Sequence, residues 1–337
     1  MRCGINIACL IFIFLLTSCA TAVYVPLEIL RPSETAFPDS VHVLAVVVNA
    51  PERTAAQDEG IIIDAFNERQ RLQIKRDNLI PFFVKGMTNS LKQSSGGTLS
   101  VIPVTGNRDT EDAILPDEIA SIKDSLKADA VLSLDELSAI PTIRLTRIDE
   151  ALFLGDMDIA VRAALKLYTD DSGIPDVLFC RDTVSWQSFG ETENRTLDKF
   201  PSFQNCLIDA AKYSGQQVSR KFYPYIDNAD RFYFVTPYPL MKEAASYWKR
   251  GNYDDASYLW EYIFENAGKM NRKAKAAANM ALYEELNDRY ESALEWVNRA
   301  LVIFSEFPEK YADYIDYLSG YKRQLNIRIQ ENKQIPY

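Results

Sequence analysis

Closely spaced carboxylates are the residues of this chain best suited by type to carry out chemistry. Asp156 and Asp158 are two positions apart, which on a strand points both to one face, and Asp135 with Glu136 forms a second pair. Two carboxylates flanking a sugar linkage are the machinery of glycoside hydrolysis. Against that reading, Asp156 and Asp158 follow Gly155 at the opening of a strand, where solvated acids are ordinary. The chain has one histidine, His42, inside an apolar run. That excludes a multi-histidine metal site and leaves any histidine-based triad to this one residue. No Gly-x-Ser-x-Gly elbow, Gly-Lys-Ser/Thr phosphate loop or Cys-x-x-Cys pair occurs. The sequence implies no cofactor and no metal, and it reads as a non-enzymatic protein.

Thiol chemistry concentrates at the start. An apolar run of 12 residues, Ile5–Leu16, follows Arg2 and ends in Leu16-Thr17-Ser18-Cys19. A basic residue, an apolar core and small residues make the secretory pattern. The run falls short of the roughly 20 residues of a spanning helix. A cysteine directly after Leu-Thr-Ser resembles a bacterial lipoprotein signal, which implies cleavage between Ser18 and Cys19 and acylation of Cys19. Of the five cysteines, Cys3 and Cys9 would then leave with the signal. Cys180 and Cys206 remain as thiols in an oxidising compartment, either bridged or separately buried.

The remaining composition describes the body that such an anchor would hold. Over 337 residues, 47% are hydrophobic, 25% are charged and the net charge is −10. That is globular composition, enough for about two domains. An acidic body is repelled by phosphate backbones and by anionic headgroups, so nucleic acid is not an expected partner.

The patterning predicts an α+β protein. Residues 1–18 read as the signal peptide and 19–40 as a tether whose Pro26, Pro32 and Pro38 forbid helix. Residues 41–238 read as an α/β sheet domain. It opens with the β-branched run Val41–Val48 and continues with a helix at 78–93, a strand at 98–104, a helix from Pro116 and a strand at 130–134. Residues 49–74 are harder to read: Pro51 breaks the strand, and Ile61-Ile62-Ile63 followed by a charged run could be a lid or a helix start. Period-two alternation from Ile159 to Leu167, a turn at 169–173 and a return at 177–186 predict a long β-hairpin. A helix at 202–222 and a strand at 231–235 complete the domain. The aromatic stretch 222–238 could dock the sheet domain onto the C-terminal region, or line a groove.

Residues 239–337 predict an all-α region. Gly251-Asn252-Tyr253-Asp254-Asp255-Ala256 ends one helix and opens the next, and Asp288-Arg289-Tyr290-Glu291-Ser292-Ala293 repeats it 37 residues later. Ala244, Ala281 and Ala300 stand at further small-residue positions. Together, Ala244, Gly251, Tyr253, Ala256, Ala281, Tyr290, Ala293 and Ala300 resemble the packing positions of tetratricopeptide repeats, with Asp288 where that family has glycine. Two repeats bury too little core alone, and the helix over 308–331 is expected to cap them.

The order of strands, the Ala128-Asp129-Ala130 strand opening and the Leu167–Gly173 hairpin resemble the sheet domain of curli-secretion lipoproteins and penicillin-binding-protein activator lipoproteins. The whole layout resembles uncharacterised tetratricopeptide-containing lipoproteins of the Bacteroidota envelope. These resemblances imply a lipid-anchored protein at the periplasmic face of the outer membrane. Its repeats would bind an envelope protein, repeat arrays offering an extended concave face for such work. A secretion-apparatus or wall-synthase regulatory role is the alternative, and an envelope polysaccharide hydrolase a third reading.

Overall fold

The computed structural model describes residues 21–50, 61–65, 68–72, 79–107, 114–169 and 174–333. It is an α+β protein that divides into two compact units. One unit is Ser33–Tyr223, and the other is formed by the chain up to Pro32 together with Pro224 onward. Among the described residues no helix is long and apolar enough to cross a membrane.

The inserted unit is built on a seven-stranded sheet. Its centre is β2 (Val43–Val48), which pairs in parallel with β5 (Ser100–Asn107) on one side and with β6 (Ala130–Asp149) on the other. Because β2 is buried on both faces, its run VLAVVV needs no polar alternation. Leu44 and Val46 enter a core with Phe83, Met87 and Leu91 of α1 (Ile80–Ser94). Ala45 and Val47 enter another with Ile119 of α2 (Pro116–Leu126). Pro116 opens α2, and the Glu118 carboxylate accepts the Leu115 amide at 2.9 Å. Asp129, at the opening of β6, accepts the backbone amides of His42 and Val43, both at 2.8 Å. Those two bonds hold its carboxyl below the usual range.

β6 is much longer than the expected strand 130–134. Its second half pairs with β3 (Ile61–Ala65), which itself pairs with β4 (Glu68–Leu72). This hairpin stands where the sequence predicts a lid or a helix start at Ile61–Ile63; three consecutive β-branched residues extend as a strand instead. The far edge of β6 pairs along its whole length with β7 (Leu152–Tyr168), and β7 pairs with β8 (Asp176–Gly190). The expected long hairpin is therefore two strands of a three-stranded meander. Met157, Ile159, Val161, Ala163, Leu165 and Leu167 point to one buried face of β7. Against that face lie residues of α4 (Phe203–Gln217), which follows the short α3 (Glu193–Asp198) and precedes α5 (Ser219–Phe222).

The discontinuous unit corrects the expected domain limits. The segment expected to be a tether contains β1 (Thr21–Arg31), and the aromatic stretch forms β9 (Tyr225–Val235). The two make an antiparallel ribbon from Thr21↔Val235 to Arg31↔Tyr225. Both belong to the unit that holds the helices α6 (Pro239–Lys249), α7 (Tyr253–Asn266), α8 (Met270–Leu286), α9 (Tyr290–Phe304) and α10 (Ala312–Asn332). One core cluster spans ribbon and helices, with Leu27, Ile29, Tyr233 and Phe234 inside it.

Candidate functional site

In the helical unit the repeat-signature residues lie at helix contacts. Ala244, Ala256, Ala281, Ala293 and Ala300 are fully buried, which lets neighbouring helix backbones approach closely. Tyr290 is buried, whereas Tyr253 stays partly in water with its ring 4.6 Å from that of Trp248. The two turns match in backbone as well as in sequence. Gly251 has φ +81° and Asp288 has φ +57°, both left-handed. Aspartate is among the few side chains that tolerate that region. Here it also accepts a 2.6 Å hydrogen bond from the Tyr290 hydroxyl. Gly251→Ala should cost about 1 kcal/mol of unfolding free energy from backbone strain alone, since its Cβ would meet nothing within 4 Å. A urea titration of the variant checks this.

β9 lies on alternate helices of the array. The ring of Tyr233 is 5.6 Å from Trp248 of α6, Phe234 is 4.9 Å from Tyr314 of α10, and Phe232 is 4.0 Å from Tyr317. Between them, α8 seals the strand edge. Asn279, wholly buried, accepts the Phe234 amide at 2.7 Å and donates to the Phe234 carbonyl at 2.9 Å, so a side-chain amide pairs with the strand as another strand would. The face of the array formed by α6, α8 and α10 is thus covered by this chain's own strand.

A buried charge network fixes that arrangement. Glu285 of α8 receives Arg231 of β9 in a fork, with Nε to Oε2 at 2.7 Å and Nη2 to Oε1 at 3.0 Å. It also receives Arg328 of α10 at 2.9 Å and the Tyr321 hydroxyl at 2.6 Å. Arg328 reaches on to the Tyr290 hydroxyl at 2.6 Å, linking the network to Asp288. Burial pushes the Glu285 carboxyl up, but the two guanidinium groups and Tyr321 more than offset this and hold it below its ordinary value. Burial and the adjacent carboxylate drive the Tyr321 phenol well above its ordinary range. No sequence motif announces this network, because its members are spread over nearly 100 positions.

The acid pairs of the sheet unit do not converge on a shared site. Asp156 accepts from Gln187 Nε2 at 2.8 Å and Asp158 from Ser185 Oγ at 2.6 Å, each with its own cross-strand partner on β8. Asp135 pairs with Lys166 at 2.6 Å beside a register shift in β6. His42 is exposed near the start of β2 and contributes its backbone amide to the Asp129 carboxylate. Cys180 and Cys206 are not bridged: both are free, buried thiols in different core clusters. Burial pushes the Cys180 thiol up to about 11, the direction of an inert core residue. Ser18 and Cys19 lie outside the described residues.

A second domain of unknown function, DUF6340, matches residues 242–326, the helical region. Among solved structures the chain is similar to the lipoprotein GNA1162 from Neisseria meningitidis, at 13% identity, over 52% of this chain and 97% of that one, with a TM-score of 0.20. No curated protein sequence matches the chain. The domain of unknown function DUF8603 matches residues 41–234, more than half of the sequence, and the chain belongs to that family.

Proposed function

We propose that this protein is a lipid-anchored lipoprotein of the bacterial cell envelope that acts as a non-enzymatic scaffold, binding an envelope protein through its helical unit. Cys19 would carry the lipid, and the helices would be tetratricopeptide-like. The observation that carries the scaffold reading is the outward face of α7. Tyr258 and Tyr262, one helical turn apart, are 69% and 46% exposed, although the same helix buries Trp260 completely. Large aromatics left in water suit recognition of a partner. With β9 covering α6, α8 and α10, this face of α7 is the one we assign to binding. The separate engagement of Asp156 and Asp158 supports the absence of catalysis.

The test is affinity capture of the full-length lipidated protein from its own membranes, beside Tyr258→Glu/Tyr262→Glu. The charged variant should lose the wild-type partners while keeping its melting temperature; recovery of the same set by both would end the scaffold reading. Separately, Cys19→Ala should release the body from the membrane or stall its processing. Firm membrane retention of that variant would refute the anchor.

A secretion or wall-regulatory role is the second reading. It is favoured by β8, which among the described residues pairs only with β7 and leaves Val177, Phe179 and Phe189 exposed.

A further inference from the structure

A cleft of about 300 Å³ opens between the β9–α6 connection and the first turns of α8. Thr236, Pro237, Tyr238 and Pro239 form one wall, and Lys269, Asn271, Arg272 and Lys275 form the other. Three cations and no acid line it, in a chain whose net charge is −10. Arg272 lies over the ring of Tyr238 at 4.3 Å, which orients its guanidinium. Lys275, 6% exposed, holds its ammonium 5.3 Å from the ring centres of Phe234 and Tyr314. Among the described residues neither Lys269 nor Arg272 is paired with a carboxylate.

The placement of these charges opposes the helix that carries them. Lys269 is the N-cap of α8 and provides no side-chain cap, and the first turn contains no acid. Cations at a helix N-terminus are unfavourable against the macrodipole, and uncapped amides there suit an anion. Asn271 Oδ1 is buried in this wall without a hydrogen-bond partner.

The cleft also has a defined position in the unit. Thr21 pairs with Val235, and Thr236 is the first residue of the cleft wall. Cys19 precedes Thr21 by two residues, a chain span of at most about 7 Å. An acylated Cys19 would therefore hold this end of the ribbon, and Thr236 with it, near the lipid headgroups.

We infer that this cleft binds a phosphate-bearing anion, and that its position selects the headgroup of an anionic phospholipid as the source. The inference rests on the Cys19 anchor only for that choice of source; the cleft itself is independent of it. The acidity of the whole chain opposes anionic surfaces in general, but only over the range that salt leaves unscreened. Charges beyond about 10 Å are screened at moderate salt, so the local cations decide.

The experiment uses the chain without signal and anchor cysteine, residues 20–337, so that retention by a lipid plays no part. It is floated with phosphatidylcholine vesicles and with phosphatidylcholine vesicles containing phosphatidylglycerol, and separately melted with inorganic phosphate. Binding only to the phosphatidylglycerol vesicles is expected. Lys269→Ala/Arg272→Ala should weaken it about thirtyfold, the effect of withdrawing two cations from an anionic surface. Lys269→Arg should retain it, and the double variant's melting curve reports its folding. A rise in melting temperature with phosphate, lost in the double variant and without vesicle binding, would keep the anion site but overturn the headgroup as its source. Vesicle binding unchanged in the double variant, or no response to either probe, would overturn the site.

Discussion

Glu285→Ala should destabilise the discontinuous unit by about 3–5 kcal/mol, the cost of removing one partner from a buried ionic group. The magnitude reflects the groups left behind. Arg231 and Arg328 are 3% and 8% exposed, and each would keep a charge that water cannot reach. Tyr321 would lose the acceptor of its 2.6 Å hydrogen bond at the same site. Replacing the whole group with apolar residues of similar size, as Glu285→Leu with Arg231→Met and Arg328→Leu, should recover much of the loss, because no buried charge is then left alone. The pH dependence comes from the lowered carboxyl of Glu285. A group whose folded value lies below its unfolded value stabilises fully above the unfolded value, about 4.3, and that stabilisation disappears as pH falls through the folded value. The urea midpoint of this unit should therefore stay level from pH 7 to about 5 and fall below that. In Glu285→Ala this component of the decline should be absent. A single variant as stable as wild type would show that the network contributes nothing.

Gly86→Ala should cost about 3 kcal/mol in the inserted unit, the upper end for overpacking. A Cβ at Gly86 would stand 2.2 Å from the carbonyl oxygen of Lys212, and one at Gly215 would stand 2.1 Å from that of Phe83. The two glycines thus seat α1 and α4 backbone against backbone, and an added methyl meets main chain that has no rotamer with which to yield. Alanine's better helix propensity, about 1 kcal/mol over glycine, acts the other way and is smaller than the clash. Gly320→Ala in α10 isolates that propensity gain, because its nearest neighbour is the tip of Arg323 at 3.7 Å. Denaturant titrations should show the first variant losing stability and the second gaining a little. A Gly86→Ala protein at or above wild-type stability would contradict the close crossing.

Elements whose pattern carries its own period are legible in the sequence. The run VLAVVV, the alternation from Ile159 to Leu167 and the helix starts at Pro116, Tyr253 and Tyr290 each arise from residues close together. Pairings made across long separations are not legible. Pro26 and Pro32 argue correctly against helix, but the nine positions between Val23 and Arg31 do not reveal a partner strand some 200 residues away. The β3–β4 hairpin escapes because ERQRL has no apolar alternation. At the candidate site, the small-residue code locates the helix contacts of Ala244 to Ala300, since backbone proximity depends on side-chain size alone. The Glu285 group and the Lys269–Lys275 cleft depend on which helices face which strand, and spacing along the chain does not encode that.

The ribbon has a consequence for the order in which the molecule can assemble. β1 emerges first from synthesis, while its partner β9 and the helices beneath come some 200 residues later. Closing so long a loop from an unfolded chain costs about (3/2)RT ln n, or roughly 5 kcal/mol, before any contact is rewarded. The inserted unit removes most of that cost once it has folded. Thr35 donates to the Lys221 carbonyl at 2.8 Å, and the rings of Phe37 and Phe222 stack at 4.1 Å, so its two ends are tied side by side. With those ends joined, the stretch between β1 and β9 behaves kinetically as a short connection. The sheet unit thereby serves as a folding clamp for the unit that interrupts itself to contain it.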